Sequence, residues 1–179
     1  MRTPSNSILA YIQAKDGNRP HLLARAFTED ATLAMAVNNA SITFPPATAG
    51  RENIADTLVR RFGQVYENIY TFCLAVPPKN QESEFSCDWL VAMSEKDGAA
   101  VRVGCGRYHW RFAADSGLVK GLAITIETMQ TLPSHTLTEV MNWAALLPYP
   151  WCSAETAMLG APGLDELNPV RAWLARPNS

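Results

Sequence analysis

The chain has 179 residues, 47% of them hydrophobic, with fifteen basic against seventeen acidic side chains and a net charge of −2. That length suits one domain with a terminal extension and supplies enough apolar side chains for a real core. Near-neutral charge without a Lys/Arg stripe argues against a nucleic-acid surface, and no apolar run is long enough to suggest a signal peptide or a membrane span.

Ser5 or Ser7 can cap a first helix, in which Ile8, Leu9, Tyr11 and Ile12 recur at helical spacing before Asp16-Gly17-Asn18 ends it. Pro20 opens a second short helix, HLLARAFTED. The run ATLAMAV, from Ala31 to Val37, reads as a strand. Asn38-Asn39 marks a turn, SITFP returns as a short strand, and Pro45-Pro46 breaks it. A third helix follows from Arg51 to Tyr66, with Ile54, Leu58, Val59 and Phe62 on one stripe. Thr71 to Val76, Phe85 to Met93 and Ala100 to Phe112 then read as strands, separated by the loop PPKNQESE and a turn at Lys96-Asp97-Gly98.

The clearest pattern runs from Gly104 to Thr131, two strands joined at Asp115-Ser116-Gly117. Tyr108, Trp110 and Phe112 share one face of the first strand, and Arg107, His109 and Arg111 share the other. Leu122, Ile124 and Ile126 share a face of the second, opposite Ala123, Thr125 and Glu127. Such alternation marks a sheet with one face on a core. Arg107 or Arg111 can then pair across strands to Glu127. After Pro133 the character changes. Thr136-x-x-Glu139 forms a capping box for TEVMNWAALL, and Asn168-Pro169 starts a last helix, PVRAWLAR. The expected class is therefore α+β, with residues 1–132 as the domain and 133–179 as a helical extension that packs on it or on a partner subunit.

Several local patterns, in this order, resemble the nuclear transport factor 2-like superfamily, the cone-shaped, cystatin-like fold of ketosteroid isomerases, SnoaL-like cyclases and scytalone dehydratase. They are FTEDATL, from Phe27 to Leu33, AGRENIADTLVRRF, and the GRYHWRF…LVKGLAITIE hairpin. The resemblance implies a curved antiparallel sheet wrapped around N-terminal helices, a cavity inside the cone, and a homodimer through the outer sheet face. In YIQAKDGN, Tyr11 falls where ketosteroid isomerases place an oxyanion-binding Tyr. The family's general base on the first strand falls on Met35, which cannot take a proton, and its second donor falls on Tyr108.

Met35, Phe44, Trp89, Trp110, Ile124 and Ile126, with Tyr11 and Tyr108, would line a largely apolar cavity for a small hydrophobic molecule. Buried Tyr hydroxyls also pair within cores, so Tyr11 and Tyr108 can serve either end. Asp88 and His109 are the strand candidates for an acid or base. Asp88 faces out if Cys87, Trp89, Val91 and Met93 face in, and lines the pocket otherwise. Cys73, Cys87, Cys105 and Cys152 lack C-x-x-C spacing and read as reduced thiols of a cytoplasmic protein. Three scattered His residues suggest no metal site, and no cofactor fingerprint is present. The reading favours a binding protein. The alternatives are a cofactor-independent lyase, isomerase or hydrolase of the SnoaL or ketosteroid isomerase type, and a non-catalytic dimeric assembly domain.

Overall fold

The computed structural model describes residues 2–38 and 46–177. The expected SITFP strand and Phe44 lie outside the described residues. The first helix, α1, spans Pro4–Asp16 and is capped by Thr3, whose hydroxyl accepts from Asn6 N at 3.2 Å. The cap is not Ser5 or Ser7. Pro4 has no N–H to satisfy and takes the first turn, so the cap falls one residue before it. Ser7 instead donates to Gly117 O at 2.9 Å. Pro20–Arg25 is a 3-10 turn, shorter than the helix expected there. Phe27 to Asp30 belong instead to the strand β1, Phe27–Val37. A short strand β2 covers Ala47–Ala49.

The third helical segment runs as α2 (Arg51–Ala55), a π turn (Asp56–Arg60) and α3 (Phe62–Val65). Tyr66 already opens β3 (Tyr66–Leu74), earlier than the sequence suggested. Its first residues form an irregular ladder, with Asn68 at φ 52° and a register shift before Tyr70. The strands β4 (Glu84–Glu95), β5 (Ala100–Phe112) and β6 (Val119–Pro133) follow as a meander. The order across the sheet is β2-β1-β6-β5-β4-β3. The architecture is α+β with a curved six-stranded sheet. The sheet is mixed rather than wholly antiparallel, because β1 runs parallel to β6.

A β-bulge between β5 and β6 bends the sheet. Gly106 pairs with Ile126 and Cys105 with Thr128, so Glu127 is the extra residue. A Cβ on Gly106 would lie 1.9 Å from Thr125 O, which is why glycine stands there. The bulge also switches parity. Ile124 and Ile126 point inward before it, Met129 points inward after it, and Leu132 points outward. Glu127 therefore leaves the regular outer-face row, and it makes no ion pair among the described residues; Arg107 lies 3.7 Å from Asp88 instead.

The inner face packs Trp89, Val91, Met93, Tyr108, Trp110, Phe112 and Leu122 against Ile8, Tyr11 and Ile12 of α1 and Ile54, Leu58 and Val59 of the third segment. The outer face is also buried over β3, β4 and much of β5. Phe72, Leu90, Ala92, Val101, Val103 and Leu132 meet the C-terminal helices α4 (Leu137–Leu146), α5 (Ala154–Leu159) and α6 (Asn168–Leu174) through Val140, Trp143, Ala157, Val170 and Leu174. Burial on both faces explains the continuous apolar run Trp89–Met93, where one-sided burial would give alternation. That part of the outer face is closed to a second subunit, contrary to the expected dimer contact over the whole face.

The extension also covers the sheet edge. Cys73 N donates to Pro150 O at 2.7 Å and Cys152 N donates to Cys73 O at 3.1 Å, so the segment around Trp151 continues the ladder beyond β3. The expected capping box is absent: Thr136 Oγ1 donates to Pro133 O at 2.7 Å and makes no cap bond. The last helix takes Asn168 into its first turn after a 3-10 turn at Asp165–Leu167, and Asn168 Oδ1 accepts from Arg171 at 3.2 Å.

Candidate functional site

The sheet's curvature leaves a cavity between its inner face and the N-terminal helices. Its free volume is about 50 Å³. That is room for a few waters or one very small molecule, and far below the several hundred Å³ of a drug-sized site. Tyr11 and Lys15 come from α1, Leu58 and Phe62 from the third segment, Met35 from β1, Trp89, Val91 and Met93 from β4, Tyr108 from β5, and Ile124, Ile126 and Met129 from β6, with Tyr66 closing one side. Three Met side chains with flexible thioethers make this lining readily repacked.

Six of the eight residues expected to contact a ligand border this cavity: Tyr11, Met35, Trp89, Tyr108, Ile124 and Ile126. Trp110 stands behind the lining, fully buried, with its ring 5.4 Å from Tyr11 and 5.1 Å from Tyr108. Phe44 is outside the described residues. Asp88 and His109 lie on the outer face, because Cys87, Trp89 and Tyr108 take the inner one. Asp88 Oδ2 accepts from Arg176 Nη2 at 2.7 Å, and His109 Nδ1 meets Ser86 Oγ at 2.7 Å. Neither reaches the cavity.

Tyr11 is wholly buried, with its ring edge-on to Phe27 at 5.9 Å and to Tyr108 at 6.2 Å. Its hydroxyl has no partner of hydrogen-bonding geometry among the described residues. The Tyr108 hydroxyl is close enough for hydrogen bonding between the two phenols to influence both, although the pair misses full hydrogen-bond geometry. Burial pushes both phenols well above the usual tyrosine range, so both are neutral donors at physiological pH. The Trp89 and Trp110 indole N–H groups are likewise buried without partners.

The sequence reading missed Lys15. It follows Tyr11 by four positions on the same helical face, in line with Ile8, and that spacing is the signal that would have found it. Its Nζ donates to Thr71 Oγ1 at 2.7 Å, lies 3.5 Å from Asp16 Oδ1 and sits 4.5 Å above the Phe62 ring. Burial lowers its pKa, and Asp16 partly opposes the shift. Asp16 accepts from Thr71 N and Thr71 Oγ1, both at 2.7 Å, and from the Tyr149 hydroxyl at 2.9 Å. The four cysteines are free and buried. Among the described residues no group of acids, His or Cys has the make-up of a metal site.

No protein-family model matches the sequence, and no curated protein matches it significantly. Solved structures do match its fold. A candidate isomerase from Rhodopseudomonas palustris aligns over 69% of this chain and 87% of its own, at 13% identity and a TM-score of 0.56. A Methylobium petroleophilum protein with a cystatin-like fold aligns over 70% of this chain and 76% of its own, at 15% identity and a TM-score of 0.55. A Mycobacterium tuberculosis protein in complex with estradiol-17beta-hemisuccinate aligns over 69% of this chain and 93% of its own, at 10% identity and a TM-score of 0.54. The chain has the nuclear transport factor 2-like fold. In this fold the cavity lies between α1, the third helical segment and the inner face of the sheet. No helix among the described residues is long and apolar enough to cross a membrane.

Proposed function

We propose that this protein binds a small, largely apolar molecule in the cone cavity, with the Tyr11 and Tyr108 hydroxyls orienting its single polar group. One observation carries the reading: a fully buried Tyr11 hydroxyl that meets no partner at full hydrogen-bond geometry among the described residues, on a residue that borders a largely apolar cavity. A buried donor left unpaired costs free energy that a ligand acceptor would recover. Met35 stands where the resemblance assigns a general base, which favours binding over isomerase chemistry. Two proteins of this fold lend support through their own ligands: one is described with estradiol-17beta-hemisuccinate, another as a designed 17-OHP binder. The free volume of this cavity points to a ligand much smaller than a steroid.

The test is a titration of small apolar molecules carrying one acceptor, followed by Trp89-sensitive fluorescence and by chemical shifts of Ile124 and Ile126 methyls. Saturable binding that weakens in Tyr11→Phe supports the reading. Equal binding in the variant, or no binding at millimolar ligand, overturns it.

We read residues 1–132 as the binding unit and 133–179 as its covering extension, in a cytoplasmic protein with unpaired thiols. A homodimer contact falls on the strip of outer face that the extension leaves open, including the exposed Thr32 and Ala34 of β1 beside Ala123 and Arg111. Sedimentation of Ala34→Arg checks it: a dimer unaffected by that substitution removes the strip from consideration.

A further inference from the structure

Among the described residues bordering the cavity Lys15 is the one that carries a charged group, and it is only 8% exposed. An ion pair with Asp16 would be the ordinary reason for such a lysine. The pair exists but is a loose one. The short hydrogen bonds of Asp16 all go to Thr71 N, Thr71 Oγ1 and the Tyr149 hydroxyl, at 2.7–2.9 Å, while Lys15 stands off at 3.5 Å. The lysine bonds a neutral hydroxyl, Thr71 Oγ1, and lies over Phe62, which itself borders the cavity. Three features thus meet at one cavity: an amine, two phenol donors one helical turn and one strand away, and an apolar wall.

Charge narrows the ligand class. Asp16 already places one carboxylate beside Lys15, so a carboxylate entering the cavity would add a second buried anion, which is costly. A neutral carbonyl adds none, and its oxygen is an acceptor for the phenols.

We propose that Lys15 is a carbonyl-reactive amine, and that the cavity takes small neutral aldehydes or ketones and holds them as an imine. This rests on the reading above, that the cavity receives a small apolar ligand. The Nζ lone pair adds to the carbonyl carbon, a C–N bond forms, and the C–O π pair moves to oxygen, where Tyr11 or Tyr108 supports it by hydrogen bonding. Nitrogen gives up its two protons in turn and the oxygen takes up two, so the carbinolamine expels that oxygen as water to leave C=N. One water is released and nothing is oxidised or reduced. A proton path leads away from the nitrogen. Thr71 Oγ1 links Nζ to Asp16, and Asp16 also lines an open groove beside Gly17, Arg19 and Tyr149. The titratable neighbours of the amine are Asp16 on its own helix, Cys73 on β3 and the phenols Tyr11, Tyr66 and Tyr108. Burial favours the free base, the form that attacks.

The experiment uses the full-length protein with butanal and sodium cyanoborohydride at pH 7, read by peptide mapping. Reduction fixes an imine as an N-butyl group. The other lysines, Lys79, Lys96 and Lys120, are exposed and serve as internal controls. We expect N-butyl on Lys15 in about tenfold or greater excess over each surface lysine, since ordinary lysines are almost wholly protonated at pH 7. Lys15→Arg, which keeps the charge, loses that label. Modification of the surface lysines with Lys15 untouched overturns the proposal, and this result in the wild-type chain stands whether or not the variant folds. Butan-1-ol, which has the same carbon chain and no carbonyl, separates the two readings. If it perturbs the Ile124 and Ile126 methyls while butanal leaves Lys15 unlabelled, the cavity reading survives and the covalent one falls. If neither molecule perturbs the cavity, both fall.

Discussion

Replacing Tyr11 by Phe removes one oxygen and leaves the ring. The edge contacts to Phe27, Tyr108 and Trp110, at ring separations of 5.9, 6.2 and 5.4 Å, stay in place. The oxygen meets no partner at full hydrogen-bond geometry among the described residues and is fully buried. A buried group in that state costs about 1–3 kcal/mol, softened here by the nearby Tyr108 hydroxyl and by any water the cavity holds. We therefore expect Tyr11→Phe to raise stability by up to about 1 kcal/mol, or roughly 2–4 °C in Tm for a chain of this size. Ligand affinity should move the other way. Losing one hydrogen bond in a dry site costs about 1.4 kcal/mol, or roughly tenfold in Kd. Thermal unfolding of both proteins, with and without ligand, measures both effects. A fall in Tm of more than about 4 °C would mean that the hydroxyl has a native partner holding α1 to the sheet. An unchanged Kd would mean that it never touches the ligand. Either result refutes the reasoning. Tyr11→Ala is the contrast, expected to cost about 3–5 kcal/mol through the void it leaves.

Asp16→Ala leaves the Lys15 ammonium buried beside neutral groups and should cost about 3–5 kcal/mol in urea unfolding; adding Lys15→Met should recover part of that loss, and no recovery would show that the acid matters only to Thr71 and Tyr149. The folded pKa of Lys15 is lowered, so between that value and the unfolded value near 10.4 the unfolded chain binds more protons and the lysine's contribution to stability rises with pH. Wild type minus Lys15→Met should thus show a positive slope between pH 7 and 9.5, below the range where the buried phenols titrate, and a flat difference would remove the burial argument. Burial pushes the Cys105 thiol up to about 12 and raises Cys152, and a hydrogen bond with Cys87 together with burial raises Cys73, so iodoacetamide at pH 8 should leave these three unlabelled in the folded protein and label them after denaturation. A chain ending at residue 132 exposes Phe72, Leu90, Val101 and Val103, and should self-associate in sedimentation where the intact chain does not do so through that face.

The hairpin was legible because Tyr108 to Phe112 and Leu122 to Ile126, the stretches short of the bulge, each obey one period. Tyr108, Trp110 and Phe112 point inward as their alternation requires, and the turn at Gly117 sits where φ is 68° and a side chain would strike Arg2 O. The cavity was not legible in that alternation, which fits a plain core equally well; its expectation came from the family resemblance. The start of β3 was not legible, because the apolar helical stripe ends at Phe62 and nothing before Thr71 alternates; Asn68 breaks the ladder there. The second buried face left a trace, the unbroken run Trp89–Met93, but only knowledge of what covers Leu90 and Ala92 turns that trace into an assignment. Lys15 was hidden for another reason. A lysine at the end of a helix normally extends into water, and its neighbours on the stripe do not say whether Thr71, 56 positions away, stands opposite.

That distance in sequence also ties the extension to the cavity. Tyr149 donates to Asp16, Asp16 accepts from Thr71, and Thr71 accepts from Lys15 at the cavity wall. Pro150 and Cys152 bond the backbone of Cys73, two residues beyond Thr71. At the far end Arg176 stacks 3.2 Å from the Trp173 ring and bonds Asp88 at 2.7 Å, which fixes the last helix to β4. The extension is thus fastened at two places, and one of them is the acid beside the cavity lysine. Tyr149→Phe tests whether that link is functional. It deletes one exposed hydroxyl and should change stability by about 1 kcal/mol or less. If Asp16 takes up the proton that leaves Lys15, losing that donor alters the rate of butanal labelling at Lys15 while the surface lysines react as before. An unchanged rate would confine Tyr149 to packing and leave Thr71 as the whole of the relay.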